Sequence, residues 1–379
     1  MRREIRTLLA AVLATGCTAT TMNPSNDAGM DTSADDAPTS DAPTADAPTA
    51  DALPFAFDPY PALAAWPDPV TDRLCDEAAN PVDAADTTFV HCRTEGDDFT
   101  TTTAPPKDRL VVLAFNMERG IHLDDQIRQL TDGTSAPASD VLLLSELDRG
   151  CPRSGYRNVA EDLARALGLH VVFATEFVEL EPDPSDATRW RAVCEHGNAL
   201  LSRYPIGNVR AVRHATQRSW YTPPGAPADE PRLGGRIAIH ADIQVGDRYL
   251  HVAALHLESS GDMYIRTAQA AEAAEEGLAQ PWPVVMGGDL NAGLYFVDVQ
   301  EGVPTDPTVM ELTNRGYVDA HGALPYEQRI TDPDMSFILD LILGRNADFL
   351  APGVGDGPTW DGLSDHRPVW ATVAPRWTP

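Results

Sequence analysis

Near its C-terminus the chain reads Ser364-Asp365-His366, a carboxylate and an imidazole side by side, followed by Arg367-Pro368 and the apolar run Val369–Val373. Five stretches upstream repeat this design, an apolar strand that ends in Asp, Glu, Asn or His. The most specific is Val284-Val285-Met286-Gly287-Gly288-Asp289-Leu290-Asn291. Its glycines let the backbone turn sharply at the strand end. Asp289 and Asn291 are two apart, so in extended chain they share a face. A carboxylate and an amide so placed can hold a water and a phosphoryl oxygen together. The plain alternative is an Asx turn with no chemistry.

Glu146 ends Val141-Leu142-Leu143-Leu144-Ser145, an almost wholly apolar strand. A carboxylate there is costly to bury without a partner. A hard divalent cation is the natural one, since oxygen ligands suit Mg2+ and that ion tolerates one or two carboxylates plus waters. A salt bridge to Arg149 or Arg153 is the structural alternative. Asn116 and Glu118 end the first strand in the same manner. His256 closes His251–Leu257, where a lone histidine is more often structural. Asp340 interrupts Phe337–Leu343, and a plausible partner is His366. A carboxylate on one ring nitrogen fixes the tautomer and raises the basicity of the other.

The elements that must position these groups become regular from Lys107. Strands are expected over 109–117, 140–147, 170–177, 197–206, 283–287, 336–343 and 368–373. Another pair, 236–242 and 248–257, flanks a Gly246-Asp247 turn as a hairpin. Helices are expected over 122–130, 155–167 and 262–279, with a further one opened by Asp306-Pro307 and closed by Gly316. Strands interleave with helices but hairpins also occur. That pattern favours an α/β chain with two packed mixed sheets and helices outside over a doubly wound parallel sheet.

The motif set resembles the endonuclease/exonuclease/phosphatase superfamily of divalent-metal phosphoesterases. The resemblance covers residues 107–375 and rests on six motifs in family order: Phe115-Asn116, Ser145-Glu146, Leu255-His256, Gly288-Asp289-Leu290-Asn291, Asp340 and Ser364-Asp365-His366. It implies a four-layer α/β/β/α sandwich with one site at an end of the two sheets. Glu146 would hold the metal, with Asn116, Glu118 and Asp365 nearby. Asp289 would orient or deprotonate the attacking water. Asn291 and His256 would contact phosphoryl oxygens, and His366, oriented by Asp340, would stabilise the pentacovalent phosphorus or act as acid/base. Mg2+ is the expected ion, with Mn2+ or Ca2+ as alternatives. The inositol-phosphatase signature around the late Asp is absent, and Asp148-Arg149 stands where apurinic endonucleases carry Lys. Secreted nucleases and sphingomyelinase-like enzymes remain as subfamilies.

Charge bears on the substrate. The net charge is −29, and residues 107–379 carry 23 basic and 39 acidic side chains, with Lys107 the only lysine. Such a balance argues against indiscriminate coating of nucleic acid but leaves room for a focused phosphate site. Residues 188–221 concentrate Arg189, Arg191, Arg203, Arg210, Arg213 and Arg218 against the single acid Glu195, with Trp190, Tyr204, Trp220 and Tyr221 among them. This segment could track a phosphate backbone and stack bases, or be a solvated surface that balances acidic neighbours. Arg236 and His196 are further phosphate-contact candidates.

The N-terminus reads as an export signal: Arg2, Arg3 and Arg6 precede the apolar run 8–14 and Gly16-Cys17. The run is too short for a permanent membrane span. Small residues before Cys17 resemble a bacterial lipobox, which would make Cys17 a lipid anchor and residues 1–17 a signal peptide. The alternative is an ordinary cleaved signal. Either gives an oxidising compartment, so Cys75, Cys92, Cys151 and Cys194 are disulfide candidates, expected as Cys75–Cys92 and Cys151–Cys194. Residues 18–52 repeat Asp-Ala-Pro-Thr and read as a disordered tether. Residues 53–106 are an N-terminal extension without an assigned role, and 107–379 the catalytic domain. The expected protein is an exported phosphodiesterase, secreted or held at the outer membrane or cell surface, with a nuclease as the first reading and nucleic acid as substrate. A phospholipid or phosphomonoester hydrolase and a non-enzymatic surface binding module are the alternatives. A membrane would be met only through the lipid, and no protein partner is inferred.

Overall fold

The computed structural model describes residues 94–377 apart from 184–185, 219, 221–230, 260–262, 293–296, 299–302 and 305. In chain order the strands are β1 (Thr94–Asp98), β2 (Leu110–Arg119), β3 (Val141–Arg149), β4 (His170–Asp183), β5 (Asp186–Ser202), β6 (Ile206–Arg213), β7 (Arg232–Gly234) and β8 (Ile237–Val245). There follow β9 (Arg248–His256), β10 (Val284–Asp289), β11 (Val297–Asp298), β12 (Val303–Pro304), β13 (Val318–Asp319), β14 (Asp340–Arg345), β15 (Ala347–Val354) and β16 (Val369–Pro375). One sheet runs β1-β4-β5-β3-β2-β16-β15, with β7 alongside β4, and the other runs β13-β14-β10-β9-β8-β6. Each is mixed: β2 and β3 are parallel, as are β9 and β10, while the other pairs within the two sheets are antiparallel.

Strand side chains alternate between faces, and the core follows that period. Leu110, Val112 and Ala114 of β2 join Ile237, Ile239 and Ala241 of β8 and Val252 and Ala254 of β9 in a cluster between the sheets. The odd-numbered neighbours Leu113, Phe115 and Met117 face outward, onto the helices Leu123–Asp132 and Val159–Leu167. The second sheet turns Ala253 and Leu255 outward onto the helix Met263–Leu278, whose small residues Ala270, Ala273 and Ala274 allow close packing. The layers are therefore helix, sheet, sheet, helix.

Several boundaries differ from those read in sequence. β4 and β5 continue as a long hairpin well past Phe177, through Glu179-Leu180-Glu181, because antiparallel pairing satisfies the backbone where side-chain alternation no longer advertises a strand. β14 starts at Asp340 rather than Ser336, since Ser336 sits at φ 60 and Phe337 closes a turn onto Asp332. β15 carries Pro352-Gly353 and a bulge between Leu350 and Gly353, so it gave no periodic signal. Residues 94–98, in the N-terminal extension, form β1 and pair with β4. Among the described residues no helix is long and apolar enough to cross a membrane.

On the outer face of the second sheet, His240 and His251 stack with ring centroids 5.3 Å apart. Their Nδ1 and Nε2 lie 3.1 Å from each other, and His251 Nδ1 is 2.9 Å from Asp242 Oδ1. Burial, and then the nearby His251, Arg210 and His214, hold the His240 pKa well below the usual histidine value. A folded-state pKa below the unfolded one means that the native form binds fewer protons. Stability is then full above about pH 6.5 and falls as pH drops through the unfolded value. The expected slope from this one group approaches about 1.4 kcal/mol per pH unit below that point. His240→Gln should flatten the decline in urea-unfolding stability between pH 7 and 5 relative to wild type; an unchanged slope would refute this.

Candidate active site

The inner-face rows do not stay apolar to the end. Leu110-Val112-Ala114 continues to Asn116 on β2, Val172-Ala174 to Glu176 on β4, and Val252-Ala254 to His256 on β9. All three polar residues are buried. Register then aligns three of the groups. Asp289 on β10 pairs with His256 on one side and with Asp340 of β14 on the other, so the three stand in one row across the sheet.

Backbone strain brings in the rest. Glu146 has φ 56, and the register of β3 against β5 shifts between Leu144 and Leu147. A bulge inserts one residue and re-aims side chains. Leu142 and Leu144 point outward, and the bulge hands the next outward place to Leu147. Glu146 is freed toward the site, where its Oε1 lies 3.9 Å from His256 Nε2. Glu118 and Arg119 are likewise left-handed, at φ 44 and 66, and Asn291 at φ 49. Non-glycine residues in this region each cost on the order of 1–3 kcal/mol and cluster where function needs them.

Two carboxylate–imidazole pairs flank Asp289. His366 Nδ1 is 2.7 Å from Asp340 Oδ2, the partnership suggested by the sequence, and its Nε2 faces Asp289 Oδ2 at 3.8 Å. His256 Nδ1 is 2.9 Å from Glu176 Oε2, and its Nε2 is 3.6 Å from Asp289 Oδ2. Asn116 Nδ2 donates to the same Asp289 oxygen at 3.0 Å, while Asp289 Oδ1 accepts from Asn291 N at 2.9 Å. The Asx turn is thus present and serves the site by fixing the carboxylate. Asn291 Nδ2 donates to Leu257 O. Ser364 Oγ donates to Asn116 O and accepts from His366 N, tying the C-terminal loop to the end of β2.

The electrostatics are polarised. Burial alone would lift the Glu146 carboxyl, but His196, His256, Arg119 and Arg236 together draw it below its usual range. Glu176 faces the same burial and is drawn to about 2 by His256 and Arg236. Asp365 goes the other way: burial, then Glu146, Glu118 and Asp289, push it to about 6 despite His366. His366 is raised well above the usual histidine value, Asp340 and Asp289 outweighing its burial. Two donor groups could hold a cation. Asp289, Asp340 and His366 offer ligand atoms within 4.8 Å of one another, but His366 and Asp340 already spend an atom each on their mutual bond. Glu146 with Asn116, Glu118 and Asp365 is a set of oxygen donors whose mutual repulsion one divalent cation would relieve, so this set fits a hard ion better.

Neither salt bridge that would have made Glu146 structural is formed. Arg149 pairs with Glu195 and Glu95, and Arg153 with Asp148 and Glu179. His196 and Arg236, the phosphate-contact candidates, are 1% and 3% exposed. His196 lies against Asp148; Arg236 donates to Glu176 and Ser259 and touches His256. Both line the floor of the site. The basic segment 188–221 does not act as one strip: Arg203 pairs with Asp140 at the far end of β3, Arg210 pairs with Glu276, and Tyr204 is buried. The side chains of Arg189, Trp190 and Arg191 lie outside the described residues. Cys151 and Cys194 form a disulfide, with Cα atoms 5.0 Å apart. Cys17, Cys75 and Cys92 lie outside the described residues. Sequence reasoning missed Glu176, whose signal was its position at the end of the 170–177 strand, and Thr331, whose hydroxyl accepts from the backbone N–H of Leu339 and Asp340.

A two-sheet sandwich whose strand ends gather acids, amides and carboxylate-paired histidines has the make-up of a hydrolase for phosphate esters. The chain belongs to the Endonuclease/Exonuclease/phosphatase family, whose model matches residues 113–366; its members are hydrolytic phosphoesterases and generally depend on divalent metals. Among solved structures it is similar to the endonuclease/exonuclease/phosphatase from Beutenbergia cavernae DSM 12333, at 18% identity and TM-score 0.53 over 71% of this chain and 72% of that one. Further matches are the human Nocturnin catalytic domain with bound sulfate, at 14% identity and TM-score 0.49 over 75% and 98%, and D. rerio TDP2 complexed with single strand DNA product, at 17% identity and 0.46 over 70% and 99%. The first shares the fold. No curated protein matches the chain.

Gly288 tests how tightly the row is built. Its φ is 136, and a Cβ there would stand 2.1 Å from Leu255 O. Strain and overpacking together should make Gly288→Ala destabilising by about 3 kcal/mol or more in urea unfolding. A loss under about 1 kcal/mol would show that β9 and β10 can part at this point.

Proposed function

We propose that this chain is an exported, Mg2+- or Mn2+-dependent phosphodiesterase that cleaves nucleic acid. The observation that carries the reading is Asp289 held between two carboxylate-paired histidines, with Asn116 on one oxygen and a cluster of acids beside it. Glu146, Asn116, Glu118 and Asp365 would hold the cation, which when bound neutralises charge on the non-bridging phosphate oxygens. Asp289 orients the attacking water and takes its proton. Asn116 and the Asn291 backbone N–H fix that carboxylate, so its reach does not have to be organised at each turnover. His366, kept cationic by Asp340 and Asp289, stabilises the charge that builds on phosphorus and can deliver a proton. His256, steadied by Glu176, faces the same centre and donates toward the leaving oxygen. Asn291 has two amide hydrogens, of which Leu257 O accepts one; the side chain would offer the other to a phosphoryl oxygen.

Residues 1–17 as a signal, Cys17 as the lipidated residue and 18–52 as a tether complete the proposal, with residues 107–379 as the catalytic region. They would set the enzyme outside the cytoplasm, where the Cys151–Cys194 bond is stable. A second reading, hydrolysis of a phospholipid head group, is favoured by Ile121 and Tyr156, 43% and 62% exposed on the segments that follow β2 and β3.

The test is a substrate panel of plasmid, single-stranded DNA, RNA and sphingomyelin vesicles, each with Mg2+ or Mn2+ and with chelator. Plasmid nicking that stops with chelator is expected, and Asp289→Ala and His366→Ala should each lower the rate by about 10²–10⁴-fold. Turnover of vesicles but not nucleic acid would select the second reading. No cleavage of any phosphoester would sink the enzyme altogether.

A further inference from the structure

Glu146 reaches the site because β3 takes an extra residue between Leu144 and Leu147. A bulge of this kind has a competitor. If β3 slipped by one place against β5, Glu146 would occupy the outward row with Leu142 and Leu144, against the helical layer. Something must hold the register on the far side of the bulge.

Successive rungs do so. Asp148 lies opposite His196 and Arg149 opposite Glu195. Asp148 Oδ1 and His196 Nδ1 are 2.9 Å apart on the inner face, and Arg149 is ion-paired with Glu195 on the outer face. Arg153 grips both oxygens of Asp148, at 2.7 and 2.8 Å, and also reaches Glu179 of β4 at 2.9 Å. The Cys151–Cys194 bond closes the next step. The side chains of the two rungs are nearly fully buried, with relative exposures of 0–2%. Polar partners so enclosed tolerate no shift to a new one, because an unpaired member would be left without water. His196 also stacks on Phe177, which fixes the plane of its ring.

We propose that the Asp148–His196 pair, with the Arg149–Glu195 pair and the Cys151–Cys194 bond behind it, is a register clamp that positions Glu146 for the divalent cation. The inference rests on the phosphoesterase reading and deepens it. His196 is a positioning residue: it acts through the strand and not by touching substrate. The Cys151–Cys194 bond then contributes to cation binding although neither sulfur is a ligand.

The test measures cation uptake directly, by calorimetry with Mn2+ and by the rise in unfolding temperature that Mn2+ produces, alongside the Mn2+ concentration at half-maximal cleavage. Loss of such supporting contacts typically costs about 10–100-fold in metal affinity. His196→Ala should raise the Mn2+ midpoint by about that factor in all three readouts. Activity should be recovered at high Mn2+. His196→Gln, which keeps an N–H for Asp148, should restore most of the affinity. The double variant Cys151→Ala/Cys194→Ala, in which neither sulfur of this bond remains, should move the midpoint the same way. Wild-type protein that takes up no divalent cation would overturn both the phosphoesterase reading and the clamp. Normal wild-type uptake, with an unchanged midpoint in His196→Ala and in the cysteine variant despite lower unfolding temperatures, would overturn the clamp alone.

Discussion

The structure depends on the two-residue period of its strands. Because alternate side chains share a face, the rows that build the apolar interior also decide what stands at their ends. Asn116, Glu176 and His256 are the last members of rows whose earlier members are aliphatic. The same packing that excludes water from Val112 and Val252 fixes the polar groups above them. Pairing of β10 with both β9 and β14 then sets His256, Asp289 and Asp340 abreast. A site made this way needs no separate scaffold.

Holding so many charges in one place is costly, and the residues around them show how it is met. Each histidine has a carboxylate on one nitrogen. Glu176 meets Arg236 as well. Asp365 is pushed upward by burial and then by Glu146, Glu118 and Asp289, with His366 opposing the shift. Strain follows the same map, with Glu118, Glu146 and Asn291 all left-handed at or beside the strand ends.

Much of this was legible in the residues. Strand ends in Asn116, Glu146, His256, Asp289 and Asp340 stood out because an acid, amide or imidazole at the end of an aliphatic run is expensive to bury and needs a reason. Two packed mixed sheets with helices outside followed from the alternation of strands, hairpins and helices, and the four-layer order from the family resemblance. What could not be read was the outcome of pairing. Glu176 sits within Thr175-Glu176-Phe177-Val178-Glu179, where no single acid stands out, and only the register of β4 turns it inward. The sequence records neither the burial of His196 nor the Asp148 opposite it. Arg203 and Arg210 are close in the chain but not in space, since Arg203 belongs to the far end of the sheet and Arg210 to a helix contact.

The groups that would act on substrate are drawn from both sheets, Asn116 and Glu146 from one and His256, Asp289 and Asp340 from the other. The boundary between the sheets is the principal core. The enzyme consequently has no way to soften in one half while the other keeps working. Warming that loosens the interior separates the two sides of the reaction centre at once, and heat inactivation and melting should trace a single curve.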